Sequence, residues 1–155
     1  YRSDRGRFEQ VPIPGHEGAV VSAILEDRDG NLWLGTQSGG LLRLRGGTVE
    51  VLNASQGLSN NRILRLYEDR EGGLWIATNA GLNRLRDSVF QTYSRREGLA
   101  DDFVRSIHQG GSGSIWVGTS EGLSRFAQGR MAVDSRVPRG ASVMTVLEDR
   151  RGRLW

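Results

Sequence analysis

The sequence contains no cysteine and no lysine, and only two histidines and three prolines among its 155 residues. The absence of cysteine excludes disulfide bonds and cysteine-ligated metals. No apolar run approaches the ~18 residues of a membrane-spanning helix, and no signal peptide is recognisable. The 21 basic residues, all arginine, are balanced by 18 acidic residues and are spread along the chain, which argues against a nucleic-acid-binding stripe. We therefore expect no nucleic-acid partner, no membrane contact by this segment and no cofactor.

Tryptophan is the residue that organises the chain. Four tryptophans recur at steps of 42, 41 and 39 residues, each within a phrase such as LEDRDGNLWLGT at residues 25–36. They are Trp33, Trp75, Trp116 and Trp155. A period of ~40 residues indicates one supersecondary unit that is copied several times.

Residues 63–93 illustrate the unit. They contain four short apolar or alternating segments separated by glycine-, asparagine- and serine-rich turns, without a helical period. This pattern predicts an all-β fold of four-stranded antiparallel meanders, which are the blades of a β-propeller. The predicted units are a half-blade at 1–12, blades at 20–52, 63–93 and 103–134, and a half-blade at 142–155.

Each position that recurs in the repeated phrase has a physical role that we can predict. An aspartate before the first turn can cap the N–H groups of that turn, and the tryptophan can pack on the neighbouring blade. A small residue two positions after the tryptophan allows close backbone approach, and the next threonine can hydrogen-bond the following turn. These residues are Asp27, Asp69 and Asp149, then Gly35 and Gly118, then Thr36, Thr78 and Thr119. Gly110 replaces the aspartate in the third repeat, so the cap is in doubt there.

The two ends of the sequence are complementary in repeat phase. Residues 1–8 align with residues 124–131, so they correspond to third and fourth strands, whereas residues 142–155 correspond to first and second strands. The sequence is therefore expected to be an internal piece of a larger protein. Three arrangements follow: a slice of a longer propeller, a four-bladed ring with one composite blade, or two chains that exchange half-blades. Because unpaired strand edges favour association, we expect self-association first.

The segment GLSNNRILRLYEDREGGLWIATNAGLNRL at residues 57–85 resembles the repeat of the two-component regulator propeller family, as do residues 15–44, 98–126 and 139–155. The resemblance implies the periplasmic sensor propeller of a hybrid two-component or diguanylate-cyclase-type receptor. It also implies that any kinase or cyclase output lies outside this chain, and that the segment is not an enzyme.

Function is expected where the repeats differ. The loops at 11–19, 53–62, 94–102 and 135–141 vary in chemistry, and some first-strand positions vary with them. They offer hydrogen-bonding side chains suited to a carbohydrate or another small polar ligand. The candidate ligand-binding residues are Asn61, Arg62, Arg65, Asp102 and Arg105.

Other candidate sites have simpler explanations. Asp27 and Asp29 resemble part of a calcium loop but lack its closing glutamate, and a hairpin turn accounts for them. His16 and His108 lie in different repeats without partners at metal-ligand spacing. The arginines at 43, 84 and 125 recur in phase, which favours a salt bridge or stacking on tryptophan over anion binding.

Three functional classes remain open from the sequence. A ligand-sensing propeller segment is the first, and a structural or oligomerisation scaffold is the second. The third is an enzyme, because streptogramin lyases are propellers with a similar tryptophan pattern. A lyase would need a histidine-based acid–base site with a metal, for which the sequence offers no matching pair.

Overall fold

The computed structural model describes residues 2–4 and 6–155, and in those residues it contains fourteen strands and two single-turn 3-10 helices. Twelve strands form three four-stranded antiparallel sheets in which sequence neighbours are hydrogen-bonded. The predicted all-β meander is therefore confirmed.

Two short strands, β1 (Arg2–Asp4) and β2 (Arg7–Glu9), precede the sheets. The first sheet consists of β3 (Val21–Glu26), β4 (Leu32–Thr36), β5 (Leu41–Arg45) and β6 (Thr48–Leu52). The second consists of β7 (Ile63–Glu68), β8 (Leu74–Thr78), β9 (Gly81–Arg86) and β10 (Val89–Tyr93). The third consists of β11 (Val104–Gln109), β12 (Ile115–Thr119), β13 (Leu123–Ala127) and β14 (Arg130–Val133). The 3-10 turns lie at Ala54–Gln56 and Arg95–Glu97, in the connections between sheets.

The two ends of the chain form smaller units. Strands β1 and β2 pair only with each other among the described residues, and residues 1 and 5 of the predicted half-blade lie outside those residues. Residues 142–155 form a hairpin rather than the two full strands expected there. It is closed by a Glu148–Leu154 bridge and by two hydrogen bonds between Leu147 and Trp155, of 3.1 and 2.8 Å.

An aspartate holds the turn between the first and second strands in the first two blades and in the terminal hairpin. Asp27 Oδ1 accepts hydrogen bonds from the N–H groups of Asp29 and Asn31, at 3.0 and 2.8 Å. Asp69 and Asp149 make the same pair of contacts in their repeats. The left-handed φ that the turn needs falls in each case on a glycine, Gly30, Gly72 or Gly152.

The apolar core lies between sheets rather than within them. Trp33 packs on Ile63 and Ile76 of the second sheet, and Trp75 packs on Val104 and Val117 of the third. The first strands of adjacent sheets also contact each other. Successive sheets therefore stack as propeller blades, with each tryptophan filling the interface to the next blade.

An arginine from the third strand stacks on each buried tryptophan. The guanidinium carbon lies 5.0 to 5.2 Å from the ring centroid in three repeats. The pairs are Arg43 with Trp33, Arg84 with Trp75 and Arg125 with Trp116. Arg84 also donates to the buried carboxylate of Asp69 at 2.8 Å. The arginines thus have the stacking role that their phase favours.

Small side chains set the spacing between blades. A Cβ atom on Gly35 would lie 2.5 Å from Cγ2 of Ile63, and one on Gly118 would lie 2.6 Å from the carbonyl oxygen of Val143. The threonine that follows donates its hydroxyl hydrogen to a glycine carbonyl across the next turn. These bonds of 2.8 to 2.9 Å join Thr36 to Gly40, Thr78 to Gly81 and Thr119 to Gly122.

A second set of contacts joins adjacent blades near the hairpin turns, and we call it the blade clasp. The N–H of Arg28 donates to Glu68 Oε2 at 3.1 Å, and its Nε donates to Glu68 Oε1 at 2.6 Å. The N–H of Arg70 donates to Gln109 Oε1 at 2.9 Å. The N–H of Gly111, at the same repeat position, donates to Glu148 at 3.1 Å. Each clasp therefore connects a turn to the last residue of the next blade's first strand, or to its equivalent in the terminal hairpin.

The third repeat replaces its aspartate without losing the bond to tryptophan. In the first two repeats the indole N–H donates to the aspartate of its own turn, at 2.7 Å. With Gly110 in that position, the indole of Trp116 donates to Glu148 Oε2 of the next unit, also at 2.7 Å. Glu148 therefore serves both the clasp and the indole.

Candidate ligand-binding face

The variable loops gather at one end of the blades. The strands of each blade are antiparallel. The loops that lead from the fourth strand of one blade to the first strand of the next therefore lie at the same end as the turns between second and third strands. Gly40 N–H donates to Asn61 O at 3.0 Å, and Gly81 N–H donates to Asp102 O at 2.7 Å. These bonds attach each long loop to the neighbouring short turn and define a loop face.

Capping boxes make two of the loops rigid. Asn53 and Ser94 are the N-caps of the 3-10 turns, and Gln56 and Glu97 return hydrogen bonds to them. The hydrogen bonds from Ser94 lower the pKa of Glu97. The spacing S-x-x-E at 94–97 is a recognisable sequence signal of such a cap.

Two of the candidate ligand-binding side chains hold the loops together. Asn61 Oδ1 accepts from the N–H of Ala54 at 2.7 Å. Asp102 Oδ1 accepts from the N–H of Arg95, also at 2.7 Å. The two residues occupy the same repeat position and span the same seven-residue distance. Each therefore has one oxygen bound within its own loop.

The three candidate arginines differ in their surroundings. Arg62 is exposed on the loop, and Arg65 is exposed on β7 with its guanidinium donating to Leu64 O at 2.7 Å. Arg105 is half-buried over the ring of Phe103, at 4.9 Å, and its Nε has no hydrogen-bond partner. In the part of the chain that the structure describes, no side-chain hydrogen bond or ion pair links any of the five candidates to another.

A cleft of about 380 Å³ opens on the loop face between loops 94–102 and 134–141. Its apolar lining includes Leu99 and Val133, and its rim carries Arg95, Glu121 and Arg139. The sequence pattern indicated that loops 94–102 and 135–141 are variable. It did not indicate which residues line the cleft, because the fold brings them together from three segments.

Asp101, next to the cleft, holds the rim residue Arg95. Its carboxylate accepts from the hydroxyl of Ser120 and pairs with the guanidinium of Arg95. Burial raises the pKa of Asp101, but the bonds from Ser120, from the N–H of Phe103 and from Arg95 outweigh it and lower the pKa overall. Arg95 is thereby held at the rim, where its remaining donors can meet an acidic or hydroxylated ligand.

Residues 2–4 and 6–155 contain no group of three or more histidine, aspartate or glutamate side chains able to hold a metal ion. The carboxylate of Asp27 is used by its own turn and by the indole of Trp33. No helix in the described part of the chain has the length and apolar character needed to cross a membrane.

Three antiparallel four-stranded sheets, with their cores between successive sheets, define a segment of a β-propeller. The sequence profile of the two component regulator propeller family matches residues 15–38, 57–80 and 98–121. The chain belongs to this repeat family, as its motifs predict. A comparison with curated proteins gives no match.

Solved structures agree with this assignment. The extracellular domain of the putative hybrid two component system BT3049 from B. thetaiotaomicron is 26% identical, with a TM-score of 0.74 over 86% of this chain. The corresponding domain of BT4673 from the same organism is 21% identical, with a TM-score of 0.71 over 92% of the chain. The chain spans only 20% and 23% of those two proteins.

The fold of a lyase is also similar to the fold of this chain. A catalytically inactive virginiamycin B lyase from Staphylococcus aureus, in a structure with quinupristin, has a TM-score of 0.73 over 95% of this chain and 51% of its own. Its identity is 13%, so the likeness concerns the fold alone.

Proposed function

We propose that the chain is a segment of an extracytoplasmic, non-catalytic sensor propeller in a two-component-type signalling receptor. The observation that carries the proposal is the match of three repeats to the regulator propeller family. The likeness to the extracellular domain of a hybrid two component system, at 26% identity, supports it. In this role the segment contributes blades and part of the loop face, and other residues of the receptor carry the output.

The ligand that fits the loop face is a small polar molecule such as an acidic carbohydrate. The cleft offers guanidinium groups from Arg95 and Arg139 beside the exposed apolar side chain of Val133. Arginine recognises carboxylates through paired hydrogen bonds, and an apolar surface can support the face of a sugar ring. Arg62 and Arg65 are exposed on the preceding loop and on β7 and offer further guanidinium groups.

Calorimetric titration tests the sensing role. We expect oligogalacturonate to bind the 155-residue chain and the neutral galactose oligosaccharide of equal length to bind more weakly. Arg139→Ala should weaken acidic-sugar binding by about tenfold, the scale of one charge-assisted hydrogen bond. Arg45→Ala is the matched control, because Arg45 is exposed at the end of β5 and lies outside the cleft.

A different result would separate sensing from scaffolding. If neither sugar binds, or if Arg139→Ala and Arg45→Ala behave alike, the ligand-sensing role of this face is wrong. The chain would then act as a structural part of the propeller.

A further inference from the structure

Two charged side chains of the cleft have no partner in the described part of the chain. Glu121 lies in the turn between β12 and β13, and Arg139 lies in the loop after β14. Both are exposed, and both line the same cleft. Among the described residues, neither the carboxylate of Glu121 nor the guanidinium of Arg139 makes a hydrogen bond or an ion pair, with each other or with another group. Two opposite charges therefore line one cavity without neutralising each other.

The backbone holds the two groups beside each other. The N–H of Gly140 donates to Glu121 O at 3.0 Å, which joins the loop to the turn. The N–H of Ala141 donates to Pro138 O at 3.2 Å and closes a turn that contains Arg139. Oε2 of Glu121 lies 3.9 Å from the position that a Cβ atom on Gly140 would take. The carboxylate therefore lies beside the segment that carries Arg139, yet the two side chains do not pair.

The fold forms the same loop and turn elsewhere without these charges. Arg95 is the first residue of its 3-10 turn, and Ala54 is the first residue of the other one. In the turn between second and third strands, Ala80 of the second blade occupies the position of Glu121. Both alanines are exposed. Because alanine suffices for the backbone at these two positions, the charged side chains of the cleft are available for binding.

The four charged groups at the cleft have no net charge. Arg95 is paired with Asp101, so these two charges offset each other. Arg139 and Glu121 remain, one positive and one negative. A purely acidic ligand is attracted by Arg139 and repelled by Glu121. A ligand with both a negative and a positive group can instead meet an opposite charge at each of them.

We propose that the cleft binds a sugar that carries both a carboxylate and a protonated amine, with the carboxylate on Arg139 and the amine on Glu121. This ligand class rests on the proposed sensing role and narrows it. A guanidinium holds a carboxylate through two parallel hydrogen bonds, and a carboxylate accepts charge-assisted hydrogen bonds from an ammonium group. The cleft volume of about 380 Å³ is in the range of small-molecule pockets.

Calorimetric titration of the 155-residue chain with three related sugars tests the proposal. Muramic acid carries an amine and a carboxylate, N-acetylmuramic acid carries only the carboxylate, and glucosamine carries only the amine. We expect muramic acid to bind about tenfold more tightly than either of the others, the scale of one charge-assisted hydrogen bond. Glu121→Ala should abolish the difference between muramic acid and N-acetylmuramic acid. Arg139→Ala should abolish the difference between muramic acid and glucosamine.

A matched control separates the cleft from other acidic groups. Glu26→Ala removes an exposed carboxylate at the end of β3, outside the cleft, and should leave the three affinities unchanged. Circular dichroism should show the same strand content in every variant. For Glu121→Ala this is expected from the alanine at position 80 of the second blade.

The outcomes distinguish this ligand class from the sensing role itself. If N-acetylmuramic acid binds as tightly as muramic acid, Glu121 does not recognise an amine and the proposal is wrong. The same holds if muramic acid does not bind while oligogalacturonate binds in a manner that depends on Arg139, and the sensing role then stands. If none of these sugars binds, the sensing role and the ligand class fail together.

Discussion

At the scale of single residues, the repeats differ most in how they satisfy the tryptophan indole. Trp75 is fully buried and donates to Asp69, which is itself buried and also accepts from Arg84. An unsatisfied buried donor costs about 1–3 kcal/mol, so each buried indole needs an acceptor. The third repeat meets this need with Glu148 from the neighbouring unit.

This difference predicts that substitutions at Gly110 and at Glu148 do not affect stability independently. Glu148→Ala should lower the free energy of unfolding by about 1–3 kcal/mol, because the indole of Trp116 and the N–H of Gly111 lose their acceptor. Gly110→Asp alone should also destabilise, because a side chain there meets the Glu148 carboxylate. Together the two changes should be less damaging than Glu148→Ala alone, since the new aspartate accepts from the indole as Asp69 does.

Urea unfolding of the three variants and the parent measures this coupling. Effects that simply add would show that Glu148 does not replace the missing aspartate, and that the third repeat is stabilised in another way.

At the scale of elements, the distance between the second strand of one blade and the first strand of the next determines how tightly the blades stack. Gly35 lies against Ile63, without room for a Cβ atom. Ala77 has the corresponding position in the second repeat and is fully buried. At this point the first interface has a glycine against Ile63, whereas the second has an alanine in the cluster that contains Val104.

Gly35→Ala should cost about 1–3 kcal/mol of stability, because overpacking forces the facing strands apart. Gly18→Ala is the matched control: it has no left-handed φ and no atom within 4 Å of the added Cβ, so it should be close to neutral. Denaturant titration compares the two. Equal effects would mean that backbone conformation, and not inter-blade spacing, explains the glycine.

The elements themselves were largely predictable from the sequence. Alternating apolar positions and turn residues predict blades at 20–52, 63–93 and 103–134, and the strands of the three sheets run over 21–52, 63–93 and 104–133. The division into half-blades at 1–12 and 142–155 stays a prediction. The clasp was not predicted, since it joins side chains about 40 residues apart and depends on how blades stack. The cleft was missed for the same reason, and the ligand-binding role of the five candidate residues stays a prediction.

At the scale of the whole molecule, stability should vary along the stack of blades. Stacked repeats are stabilised by their own structure and by each interface with a neighbour. The second blade, residues 63–93, has apolar clusters on both sides. The hairpin at 142–155 packs on one side only and leaves Trp155 exposed.

Native-state hydrogen exchange should therefore report the strongest amide protection in β8 and β9, and the weakest in residues 142–155. Equal protection along the chain would contradict a stack of separately stabilised blades.

The glutamate that Trp116 receives from the next unit has a further consequence for the order of the repeats. A tandem array made only from copies of residues 63–93 and their loop would carry an internal acceptor for every indole. An array made only from copies of the third repeat would place Gln109 opposite each indole, so one amide oxygen would have to accept both the N–H groups that Glu148 receives on two oxygens. The order of the repeats along the chain therefore determines which acceptor each indole meets.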